Sequence, residues 1–305
     1  MPIGFRPPIP NAADWQAQKF AIRLCRGAAC YAALTAHFGT RNQTRLEWTI
    51  DGRRPYGADN DDVDQSSSNK YLRWGQGKTL PSNSSVDLVY EHSGGAVRLN
   101  FWRDLPLWEL LQPQPPSLQR LHAILEASPP GVRRILFIDV EPGEGGRYSH
   151  TRLRRSELLA LRNLRSLDAF TALLCLARKG ELLEDDQYQY LPSACAYDML
   201  PRLLYSHPPL RCQWEMLFSC LERIFWRRVY VSGDYFEFPI ETVRSSIETL
   251  DKDSSAPLPQ KSGKRIRVID DDPITTLEKK FERAKLWERE HVKGPRSHKR
   301  GRGHE

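Results

Sequence analysis

Between Ser156 and Lys179 the apolar residues include Leu158, Leu159, Leu161, Leu164, Leu167, Phe170 and Leu174. Intervals of three and four residues place side chains on one side of an α-helix. The spacing predicts one long helix over 156–179, closed by Gly180. The same period recurs at Phe20, Leu24, Ala28, Tyr31 and Leu34. It predicts a first helix from an Asp14 N-cap to about Phe38, stopped by Gly39. Trp214, Met216, Leu217, Leu221, Ile224, Phe225 and Trp226 predict a helix over 210–231. Further helices are expected over Leu118–Ala127, ended by Pro129, Pro130 and Gly131, and over Asp186–Tyr205, interrupted at Pro192 and Pro201. The best strand signal is the run Arg133–Val140.

Helical pattern therefore dominates, and the fold class expected is mainly α. The QPQPP run at 112–116 reads as a linker. It divides a helical N-terminal domain (1–111) from a larger, predominantly helical domain (117–250) with at most a small β element. Residues 251–305 read as a flexible link, a charged helix over 276–290 and a basic tail. Within the first domain, Leu46–Ile50 reads as a short strand or helical turn, with Trp48 packed on the first helix. The dense aromatic and aliphatic stretch 101–111 is expected to be core or the seam between domains.

The formal charge of +7 favours a polyanionic partner. No secretory signal and no apolar run of membrane-spanning length is visible, which points to a cytoplasmic protein without a membrane partner. The six cysteines form no CxxC pair, and their spacing suits buried thiols in a reducing compartment rather than a zinc site. The GQGKT run at 75–79 lacks the earlier glycine of a phosphate loop, because Leu72 stands at that position. The acidic run DNDD at 59–62 has neither the alternating ligands nor the distal glutamate of a calcium loop. No catalytic residue, metal ligand or cofactor is predicted from these patterns. The one enzymatic alternative is a metal-dependent nuclease: Asp139 and Glu141, two apart on an expected strand, would share a face and could hold magnesium.

Basic residues concentrate in three places. Arg155 and Arg162, seven apart, share a helix face that could contact phosphates. Arg227 and Arg228 end the next long helix. Lys293, Arg296, Lys299, Arg300 and Arg302 lie near the end of the chain. The third clue is local: Ser66–Trp74 can form about two helical turns before Gly75 and Gly77, and Pro81 opens a second helix over Asn83–His92.

The run YLRWGQGKTLPS resembles the phage-repressor-type helix-turn-helix family over about residues 66–91. Arg73 and Trp74, then Gly77 with Lys78, then Pro81 match the exit of that family's recognition helix. The resemblance implies that Trp74 packs into the core, Gly77 makes the turn, and Pro81 and Ser82 start the next helix. It also implies that Ser67, Ser68, Asn69, Lys70 and Arg73 contact the groove or phosphates of duplex DNA, with Lys78 beside them. Upstream, where the family has a helix and a tight turn, this chain has DGRRPYGADNDD. Shared origin therefore requires an acidic insertion between the two helices. The function expected is that of a DNA-associated regulatory or accessory protein. The non-enzymatic alternative is a helical adaptor in a multiprotein complex, bound to a partner or to itself.

Overall fold

The computed structural model describes residues 12–52, 68–137, 154–226, 230–231, 234–235 and 238–255. The chain runs through α1 (Ala12–Phe38), α2 (Gln43–Asp51), α3 (Lys70–Gly75), α4 (Asn83–His92), α5 (Leu99–Arg103), α6 (Leu107–Leu110) and α7 (Leu118–Glu126). It continues through α8 (Pro130–Leu136), α9 (Arg155–Leu164), α10 (Leu167–Leu182), α11 (Asp186–Ser206), α12 (Pro208–Arg211) and α13 (Trp214–Leu221). A π-helical turn (Glu222–Trp226) follows, then β1 (Tyr230–Val231), β2 (Asp234–Tyr235) and α14 (Ile240–Ser255). The protein is mainly helical. The two short strands pair antiparallel, Tyr230 opposite Tyr235.

Apolar residues bury into two clusters, and α1 feeds both. Ala21, Ile22, Cys25 and Ala29 join the larger cluster, built from the 105–111 stretch and α7–α14. Cys30 and Leu34 join the smaller one, with Leu46 and Ile50 of α2, Tyr71 and Trp74 of α3, and Val86 and Val89 of α4. The buried side of α1 is thus drawn partly with small residues, which let neighbouring helices come close. The larger Phe20, expected inside, is 50% exposed. Of the aromatic stretch, Leu105, Leu107, Trp108, Leu110 and Leu111 are core, while Phe101 faces outward.

Two fully buried polar side chains tie distant segments into this core. The Gln18 amide donates to the Leu111 carbonyl (3.0 Å) and the Cys220 carbonyl (3.2 Å), and its oxygen accepts from Arg223 (3.1 Å). Arg178 donates to the carbonyls of Leu110 (2.8 Å) and Gln112, pairs with Glu181 (2.6 Å), and lies over the Phe225 ring. A buried cation persists only when its donors are used, and these are. The start of the 112–116 run is therefore held against α10, and residues on both sides of that run share one apolar cluster.

Several elements depart from expectation. The 133–140 strand is replaced, over its described part, by α8: Pro130 sits in the first turn, where its missing N–H costs nothing, and Val132 and Leu136 bury four apart. Residues 138–140 lie outside the described set. The long helix over 156–179 is two helices, because Arg165 turns left-handed (φ 51°) and the Ser166 hydroxyl caps Ala169 N–H. Gly180 does not close α10 but lies inside it. An added Cβ there would sit 2.4 Å from the Gln189 nitrogen of α11.

Pro192 and Pro201 do not interrupt α11, which runs unbroken for 21 residues. Burial of Tyr190, Leu191, Ala194, Cys195, Leu200 and Leu203 outweighs a cost of about 3 kcal/mol per interior proline. The expected 210–231 helix breaks into α12, α13 and the π turn. That turn brings Trp226 inward, where its indole N–H donates to the Ser193 carbonyl (3.0 Å). Leu46–Ile50 belongs to helix α2, capped by Asn42, and Trp48 points to solvent rather than onto α1.

The α10–α11 contact leaves no room for a methyl group at Gly180. Gly180→Ala is expected to lower stability by about 1–3 kcal/mol, measured by urea denaturation.

Candidate nucleic-acid interface

The residues singled out for DNA contact centre on α3, whose six residues are too few to hold themselves in place. Glycines set its position. An added Cβ at Gly27 of α1 would lie 2.3 Å from the Trp74 carbonyl oxygen, and one at Gly77 would lie 2.5 Å from Leu24 Cα. The backbone of the turn therefore rests directly on the backbone of α1. Gly77 also has φ 64°, a left-handed conformation that suits glycine. Trp74 is buried, meeting the Tyr71 ring edge-on at 4.9 Å. The turn closes through Gly77 N–H to the Trp74 carbonyl (2.8 Å) and Lys78 N–H to the Arg73 carbonyl (2.9 Å).

Helix α2 clamps the other side of α3. Gln43 accepts from Leu72 N–H (2.7 Å) and donates to the Tyr31 hydroxyl (3.0 Å). Asp51 takes the Lys70 ammonium (2.7 Å) and the Tyr71 hydroxyl (3.1 Å) on one oxygen. The buried Glu47 accepts from the Ser68 hydroxyl (2.8 Å). Both acids of α2 are thus turned inward and used.

Beyond the turn, Ser82 caps α4 by accepting from Ser85 N–H (3.2 Å). Arg103 of α5 holds this start, donating to the Pro81 carbonyl (3.1 Å) and the Asn83 side chain (2.9 Å). Asp104 beside it is held below the usual carboxylate range by hydrogen bonds and charge from Arg103 and Arg26. Between α2, α3 and α4 lies a groove of about 490 Å³, its walls including Lys70, Arg73, Thr79, Ser82 and Ser85.

The eight expected contact residues do not form one surface. Ser67 lies outside the described residues. Ser68 and Lys70 face α2 in the pairs above, and Asn69 precedes α3 in a left-handed conformation (φ 48°) without capping it. Arg73 and Lys78 are exposed near the groove. Arg155 and Arg162 stand apart on α9, which packs on α8, α10 and α11, whereas α3 packs on α1 and α2. Arg155 is exposed at the start of α9, and Arg162 pairs with Asp198 of α11 (3.4 Å). Asp139, Glu141, Arg227, Arg228 and the basic tail lie outside the described residues. No group of three or more His, Cys, Asp or Glu that could hold a metal ion occurs among the described residues. No helix among them is long and apolar enough to cross a membrane.

Reading the sequence missed Gln43, Glu47 and Asp51 as organisers of α3. Their signal was present: Asn42 as a cap, then Leu46 and Ile50 four apart on one helix face. The chain matches no protein-family model, no curated protein and no solved structure.

Gly39 and Gly77 share φ 64°, but an added Cβ at Gly39 would have nothing within 4 Å. Gly39→Ala is expected to cost about 1–2 kcal/mol from backbone strain alone. Gly77→Ala should cost about 1–3 kcal/mol more, because it also pushes the turn off α1. Chemical denaturation of the two variants side by side checks the difference.

Proposed function

We propose that the protein is a DNA-associated accessory or regulatory protein, without catalysis of its own, that docks duplex DNA on its α2–α3–α4 unit. The observation that carries this reading is the clamp of α2 on α3. A supporting helix with an apolar inner face lies against α3, as a helix-turn-helix reading needs. Arg73 and Lys78 emerge from the held turn towards solvent, beside the start of α4, whose first-turn amides add partial positive charge. Lys70 and Ser68 serve this surface indirectly, by fixing α3, since both are taken up by α2. Such contacts position a protein on the phosphate backbone and carry little sequence information.

The test is a mobility shift of the full chain with duplex DNA at two salt concentrations. Binding should weaken steeply with salt, and Arg73→Glu with Lys78→Glu should weaken it further and flatten the salt slope by about 1 per lost phosphate contact. Unchanged affinity and slope in the double variant would remove the α3–α4 face as the contact surface.

A further inference from the structure

Trp48, at 54%, is the most exposed large hydrophobic side chain among the described residues. It stands on a helix whose inner face already satisfies its neighbours. Leu46 and Ile50 fill the smaller core, and Glu47 and Asp51 are spent on Ser68, Lys70 and Tyr71. What remains outside is Thr44, Arg45, Trp48 and Thr49, all exposed. Arg45 and Trp48 are three residues apart, so they are neighbours on the helix surface. No acid of α2 points this way. On the adjacent α4 the acids are Asp87 and Glu91, four apart and so on one side of that helix.

An indole kept in water next to a guanidinium, with hydroxyls around it and both carboxylates of α2 turned inward, fits a ligand with a flat π face and a negative charge. A nucleotide in a single strand has both: the unpaired base stacks on the ring, and its phosphate meets the arginine. A base paired in a duplex shows only its edge. A purely apolar protein anchor would gain nothing from Arg45.

We infer that the outer face of α2 binds single-stranded nucleic acid, with one base stacked on Trp48 and a flanking phosphate on Arg45. This rests on the nucleic-acid reading above only for the class of ligand. The inference uses neither Arg73 nor Lys78, so the two readings fail separately. Together they describe a protein suited to a junction, duplex on one face and open strand on another.

The probe is oligo(dT), followed by intrinsic tryptophan fluorescence and by anisotropy of a labelled strand. Oligo(dT) should quench the natural protein. Trp48→Ala should bind it roughly tenfold or more weakly, while Trp48→Phe keeps most of the affinity and loses the quench. Arg45→Glu should weaken binding and lower the salt slope by about 0.7. Duplex binding should be untouched by the Trp48 variants, just as oligo(dT) binding should survive Arg73→Glu with Lys78→Glu. The inference is overturned if oligo(dT) leaves the fluorescence unchanged, if Trp48→Ala binds it as the natural protein does, or if inorganic polyphosphate quenches equally well. It is also overturned if Trp48→Ala instead dissolves a self-associated form that binds no oligo(dT). Because Trp48 is exposed, the variants should fold, and with eight tryptophans in the chain the loss of the quench in Trp48→Phe assigns it to this ring.

Discussion

Two stretches of backbone can touch only where a side chain ends at hydrogen. At Gly27 and Gly77 the chain meets that condition from both sides, α1 offering one glycine and the turn after α3 the other. Everything in the smaller cluster follows from the contact. It fixes the height of α3 on α1, seats Trp74 between them, and sets where the exposed Arg73 and Lys78 leave the surface. A six-residue helix has no stability of its own to contribute. Its geometry is borrowed from α1 by backbone contact and from α2 by side chains.

The larger cluster solves a different problem, that of joining segments far apart in the chain. Apolar burial is not directional, so it cannot by itself specify which loop meets which helix. Gln18 and Arg178 supply direction, because each reads particular carbonyls: Leu111 and Cys220 in one case, Leu110 and Gln112 in the other. Both reach the same short stretch at 110–112, from α1 and from α10. That stretch belongs to the larger cluster, while Trp102 packs against both clusters.

Helical content was legible because α1, α4, α7 and α10 carry their apolar residues at helical spacing. Several of the misreadings share one cause. Proline and glycine act locally, and packing overrode them: α11 passes through Pro192 and Pro201, and Gly180 serves interhelical contact rather than termination. Residues 133–136 look β-like in isolation but follow Pro130, which starts a helix once Val132 and Leu136 have something to bury against. At the candidate interface, the roles of Trp74, Gly77 and Ser82 were those the family resemblance implied. The fate of Lys70 could not be read in this way, since its partner Asp51 lies 19 positions away, across the acidic stretch. Trp48 was expected to pack on the first helix, and the helical phase set by Leu46 and Ile50 turns it out.

The clamp between α2 and α3 also frees the chain that joins them. In most helix pairs the connecting turn dictates the angle between its helices, so its length cannot change without moving both. Here Gln43, Glu47 and Asp51 hold the geometry through side chains, and the connection is relieved of that duty. Closing a longer connection costs about 0.6 kcal/mol for each doubling of its length. This is a place in the fold where relatives could differ by whole segments, and where a reporter domain could be spliced in while α3 stays where it is.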